Sequence, residues 1–170
     1  MIKAYVDTSV IVARYKPGDP LHEVSENLFK LSDATLYISP LTLVELYSVL
    51  SRVRVEVPVE GLNLHPLIHF IIKDCRLHVI SIPLLARRSI AGCGVLAPAE
   101  YYLAIGLSHR LKLRTLDLLH IAYALILRRK GMADVMITGD EDILKCGKEI
   151  LAATGVLVRG PQNLFDSSFF

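Results

Sequence analysis

Five short apolar runs are spaced along the chain: IKAYV (2–6), ATLYIS (34–39), HVISI (78–82), DVMIT (134–138) and GVLV (155–158). Runs of this length and β-branched content predict strands covered on both faces. The longer segments between them predict helices. One or two run through Leu31, broken at KPGDP, and another starts at Ser39–Pro40, a capping hydroxyl followed by a ring that presets helical φ. Further helices are expected over 67–75, 84–91, 98–111 and 115–130. The stretch VRVEVPVEGLNLHP (53–66) alternates like a strand, but Pro58 confines any strand there to a sheet edge. Apolar strands alternating with helices predict an α/β fold with a central parallel sheet flanked by helices. No repeat or linker divides the sequence, so residues 1–170 are expected to form a single domain.

Composition narrows the class. Hydrophobic residues make up 52% of the 170 and charged residues 21%, and the formal net charge is +2. A charge that small does not by itself mark a nucleic-acid binder. Cys75, Cys93 and Cys146 form no CxxC pair and are expected as reduced thiols of a cytoplasmic protein. The start, MIKAYVDTSVIV, lacks the basic segment and long apolar core of a signal peptide. Mean hydropathy is high at +0.44, yet no uncharged run approaches the roughly 18 residues of a spanning helix. No membrane role is expected. The apolar excess fits a covered sheet and a surface for a partner.

One carboxylate interrupts the apolar helix SPLTLVELYSVLSRV (39–53). Positions three and four away from Glu45 hold Leu41, Thr42, Ser48 and Val49, so no local cation pairs with it. Arg52, seven residues on, is beyond that reach. Glu45 therefore needs a partner from elsewhere. Asp7, Asp117 and Asp140 have local alternatives. Asp7 ends AYVDTS and can cap the next helix. Asp117 can be a first-turn acid behind a Thr115 cap. Thr138 and Glu141 have capping-box spacing, which would make Asp140 and Asp142 ordinary first-turn acids. Strands 1 and 4 each end in an acid-bearing turn, and sites in open α/β sheets lie beyond the carboxyl ends of the strands. Four converging carboxylates repel unless a cation fills them, and carboxylates without neighbouring Cys or His select Mg²⁺ or Mn²⁺. An empty cluster of that kind would be stabilised by Glu45→Gln.

The segments YVDTSV, LTLVELYSVL, LRTLDLLHIAYAL and MITGDEDIL, in this order, resemble the successive motifs of the PIN-domain family, and within it the VapC-type toxins of prokaryotic toxin–antitoxin pairs. The resemblance implies a PIN-like fold and a Mg²⁺- or Mn²⁺-dependent endoribonuclease. It implies an acidic quartet of Asp7, Glu45, Asp117 and Asp140, with Asp142 as an auxiliary metal ligand and Thr8, Ser9 and Thr138 as supporting hydroxyls. It also implies an RNA substrate, a homodimer and a small antitoxin partner. The segment 53–76 is longer and more apolar than the resemblance implies. The alternative is a catalytically silent PIN-like scaffold serving as an RNA- or protein-binding subunit.

Other chemistries find less support. His65 and His69 are four apart, but nothing like HExxH surrounds them. His120 lies one turn beyond Asp117, and its simplest role is a core histidine, with support of a metal site as the alternative. No GxSxG elbow, Walker loop or GxGxxG occurs. Arg110, Lys112 and Arg114 gather just before Asp117 and are the candidate RNA contacts.

Overall fold

The computed structural model describes residues 2–53, 55–57, 63–80 and 85–164. Its centre is a five-stranded parallel sheet in the order β3-β2-β1-β6-β7. The strands are β1 (Ile2–Val6), β2 (Ala34–Ile38), β3 (Leu77–Val79), β6 (Val135–Ile137) and β7 (Leu157–Arg159). All five expected strands therefore exist. For HVISI, the segment 77–79 is strand, while residues 81 and 82 lie outside the described residues.

Residues of β1 alternate between the two cores, as the two-residue period of a strand requires. Ala4 and Val6 face a core with α1 (Thr8–Arg14), α2 (His22–Lys30), α3 (Pro40–Leu50) and α4 (Leu64–Asp74). Tyr5 faces the other core, under α5 (Ala99–Leu111), α6 (Thr115–Arg129), α7 (Glu141–Lys145) and α8 (Gly147–Thr154). Helix α6 is buried from Leu118 to Leu127 along its whole circumference, which is why its sequence carries so little polar interruption. Among the described residues, no helix is long and apolar enough to cross a membrane.

Helices α5 and α6 match the expected spans to within one residue, while α3 starts at Pro40 as expected and ends at Leu50, three residues short of the 39–53 stretch. Helix α4 begins three residues earlier than expected, at Leu64. Pro66 falls in its first turn, where the missing N–H has no helical partner to lose. The expected helix over 84–91 is instead a strand: β4 (Leu85–Ile90) pairs antiparallel with β5 (Cys93–Pro98). Ala91 and Gly92, with φ of 48° and 81°, make the turn. Two consecutive positive-φ residues match the twist of a two-residue hairpin, and Gly adopts this readily. Of the strand-like stretch 53–66, residues 54 and 58–62 lie outside the described residues, 55–57 have no regular structure, and 64–66 open helix α4 instead.

Candidate functional site

The carboxyl ends of β1 and β6 carry the site. Asp7 directly follows β1, 6% exposed, and caps α1: its Oδ1 accepts from Thr8 N at 2.7 Å. Its Oδ2 accepts from Ser9 Oγ at 2.8 Å and Thr138 Oγ1 at 2.7 Å. Thr138, just past β6, thereby ties the two strand ends together, and it also accepts from Asp140 N at 3.0 Å. Gly139 gives its N–H to Ser9 Oγ at 3.0 Å. A Cβ at Gly139 would lie 2.4 Å from Leu21 Cδ1 and 3.4 Å from Ser9 Oγ, so the absence of a side chain lets this turn approach α1 closely.

Asp7 caps the next helix as expected, while Asp117 and Asp140 perform local tasks with partners other than those expected. Asp140 itself is the cap of α7, its Oδ1 accepting from Asp142 N at 2.8 Å and Ile143 N at 3.1 Å. Thr138 is not the cap of a box with Glu141. Arg114, not Thr115, is the cap position of α6, and its N–H donates to Asp117 Oδ2 at 3.1 Å. The short reach of a carboxylate to N–H groups three residues away explains both shifts.

Glu45 finds its partner across the fold. His120 Nε2–H donates to Glu45 Oε2 at 2.7 Å and lies 3.5 Å from Asp7 Oδ1. Thr8 Oγ1 donates to the same Oε2 at 2.5 Å. On its other side, His120 Nδ1 is hydrogen-bonded to the Tyr5 hydroxyl at 2.6 Å, and that hydroxyl also meets Ser39 Oγ at 2.9 Å and Thr42 Oγ1 at 3.2 Å. Tyr5, Ser39, Thr42 and His120 are all buried. Burial opposes the His120 charge, but the bond to Glu45 and the charges of Asp7 and Glu45 hold the imidazole above its usual value. Burial likewise opposes the Glu45 charge, and the His120 bond and charge, with Thr8, hold it below the usual carboxylate value. Asp117 goes the other way: partial burial and the nearby Asp140 charge raise it.

Asp7, Glu45, Asp117, His120 and Asp140 line one cleft of about 560 Å³, joined by Asp19 and Arg52. Three of the quartet share a pattern. Glu45, Asp117 and Asp140 each commit one oxygen to protein donors, Oε2, Oδ2 and Oδ1 respectively. The second oxygen of each has no protein donor among the described residues. Asp7 and Glu45 also bring carboxylate oxygens within 4.8 Å of one another, beside the His120 ring that donates to Glu45. Hard oxygen donors with spare lone pairs fit a divalent cation. Thr8 and Ser9 meet the quartet directly, as Thr138 does. Asp142 does not line this cleft. It pairs with Arg114 at 3.6 Å and lines a second groove of about 430 Å³ with Lys112, Arg114 and Asp117. Arg110 is exposed at the end of α5 and lines neither.

In the sequence, His120 is given support of a metal site only as an alternative, and Arg52 no role at all. His120 reads as a core position because it is one; only the fold turns its ring toward Glu45. Arg52 drew notice only as a cation too far from Glu45 to pair with it. The i, i+3, i+4, i+7 spacing of Glu45, Ser48, Val49 and Arg52 was the available signal that they share a helix face.

Fold and site together define an α/β protein with an acidic cleft at the carboxyl ends of its parallel strands. The chain belongs to the PIN domain family, whose model matches residues 4–149. No curated relative matches it in sequence. Among the solved structures with a similar fold are two from prokaryotic toxin–antitoxin systems. VapBC2 from Rickettsia felis, bound to a DNA fragment from its promoter, is 18% identical with a TM-score of 0.56, covering 94% of this chain and 98% of that one. Mycobacterium tuberculosis VapC20, a sarcin–ricin loop cleaving toxin, is 19% identical with a TM-score of 0.55, covering 85% and 95%. At these identities the likeness concerns the fold.

Proposed function

We propose that this protein is a divalent-metal-dependent endoribonuclease and the toxin of a toxin–antitoxin pair. The observation that carries the proposal is the shared arrangement of Glu45, Asp117 and Asp140: one oxygen held by the protein, the other left to the cleft. Carboxylates that served only as helix caps would have no reason to gather from four elements around one cleft. Membership of the PIN family and the cleavage activity of VapC20 support RNA as substrate, and the VapBC2 complex supports an antitoxin partner.

Asp7, Glu45, Asp117 and Asp140 would hold Mg²⁺ or Mn²⁺, which when bound lowers the pKa of a water and neutralises phosphate charge. The chain's own residues prepare this site. Thr8, Ser9 and Thr138 fix the orientations of Asp7 and Glu45 through the bonds described above. His120 holds Glu45 Oε2 and so directs Oε1 toward the cleft. Asp117 has an oxygen that no donor among the described residues holds, and that oxygen would be placed to accept a proton from attacking water. Asp142 contributes at the edge of the site, through Arg114 and the groove shared with Asp117.

End-group analysis of the cleavage products tests the proposal. Water as nucleophile leaves 5′-phosphate and 3′-hydroxyl ends. A 2′,3′-cyclic phosphate would instead mean that the ribose hydroxyl attacks, with His120 as the acid–base group, and the metal reading would fail.

A further inference from the structure

The cleft holds a cation that its acids do not neutralise. Five carboxylates line it, from Asp7, Asp19, Glu45, Asp117 and Asp140, yet the Arg52 guanidinium forms an ion pair with none of them. Its Nε donates to Ser48 O at 2.9 Å and one Nη to Ser48 Oγ at 3.2 Å. These bonds hold the exposed side chain against the end of α3 and, among the described residues, leave donors of the planar fork uncommitted. Arg52 follows the end of α3 with its guanidinium folded back onto Ser48, and it shares the cleft wall with Val49 and the half-exposed Leu116. A guanidinium fork that lines the acidic cleft without pairing to its carboxylates suits a phosphate neighbouring the one at the acidic centre, with the apolar wall beside the attached nucleoside.

A second groove continues from the first, because Asp117 lines both. Two of its three cations are already paired, Arg114 with Asp142 at 3.6 Å and Lys145 with Glu141 at 2.9 Å. Lys112 is exposed, in the left-handed conformation that ends α5 (φ 53°), and forms no ion pair among the described residues.

We propose that a single RNA strand crosses the site along these two grooves, its phosphates held by Arg52 on one side of Asp117 and by Lys112 on the other. This deepens the ribonuclease proposal and rests on it for the identity of the strand, while the contacts themselves are testable without cleavage.

The test is binding of a fluorescent single-stranded oligoribonucleotide to the uncleaving Asp117→Asn protein across a salt series. Each lost contact to single-stranded phosphate lowers the slope of log K against log salt by about 0.7. Arg52→Gln and Lys112→Gln should each lower it by that amount and weaken binding severalfold, and the double variant by about twice as much. Arg52→Lys should keep the slope but bind more weakly than the parent, since it keeps charge and loses the fork. Lys148→Gln, on α8 and lining neither groove, should change nothing. An unchanged slope and affinity in Arg52→Gln or in Lys112→Gln would overturn the path. Separately, wild-type protein that cuts no RNA in Mg²⁺ or Mn²⁺ would sink the ribonuclease proposal while leaving reduced slopes as evidence for the contacts.

Discussion

Glu45 has no cation in its own helix, and the fold answers that with His120 rather than leaving the carboxylate to a metal alone. This reverses what an empty acidic cluster would predict for Glu45→Gln. The substitution strips a buried imidazole of its nearest counter-ion, so the metal-free protein should lose about 2 kcal/mol and melt earlier, in a thermal melt with chelator. The pair also sets a pH profile. Glu45 is held below its ordinary 4.5, so its contribution is complete above that value and fades as pH falls through the lowered one. His120 is held above its ordinary 6.5, so its contribution is complete below 6.5 and fades as pH rises through the raised value. The metal-free melting temperature owed to this pair should therefore be highest between pH 4.5 and 6.5. Glu45→Gln should flatten both arms, and equal pH profiles for the two proteins would contradict the ion pair. Asp117 is the opposite case. Its carboxyl is raised chiefly by burial and by Asp140, so Asp117→Asn should leave the metal-free protein as stable as the parent or slightly more so, while weakening metal binding. Asp7, Asp117 and Asp140 stand out in the sequence against strand ends and helix starts, and Glu45 as a mid-helix carboxylate without a local partner; the four line one cleft. His120 does not stand out, since a buried polar residue and a core residue look alike until its partners arrive from β1 and α3.

Elements were legible where their burial follows their period. Helix α6 and the inner strands are covered on all sides, so their apolar runs survive in the sequence. The hairpin of β4 and β5 was not legible. It is largely exposed, with Leu85 64% and Leu96 63% accessible, so no buried face imposes a pattern, and Ala91–Gly92 is a weaker turn signal than Asn–Gly. The start of α3 was legible from Ser39–Pro40 and proves to do two tasks. Ser39 Oγ accepts from Thr42 N at 3.2 Å and also meets the Tyr5 hydroxyl that backs His120. Ser39→Ala should cost about 1–2 kcal/mol by chemical denaturation, and a cost of only a few tenths would mean that the cap and the Tyr5 contact are dispensable.

At the scale of the molecule, the parallel order β3-β2-β1-β6-β7 sets β1 at the centre with β6 beside it, so that Asp7 and Asp140 emerge from adjacent strand ends. Helices α3 and α6 cover opposite faces of that centre and bring Glu45 and Asp117 to the same rim. Self-association is expected from the large apolar side chains left exposed. Among the described residues these include Val44 on α3, Val79 on β3, and a group on the hairpin and α5 formed by Leu85, Val95, Leu96, Tyr101 and Ile105. Sedimentation at micromolar concentration should give a dimer, and a clean monomer of 18.9 kDa would contradict this. The central claim is that the acids gathered at this rim cleave RNA through a bound divalent metal. Its most direct test is an end-labelled single-stranded RNA incubated with purified wild-type protein and with Asp117→Asn, in Mn²⁺ and in EDTA. Cleavage by the wild type in Mn²⁺, abolished by EDTA and by Asp117→Asn, is the predicted result; cleavage that persists in EDTA or in Asp117→Asn would contradict it.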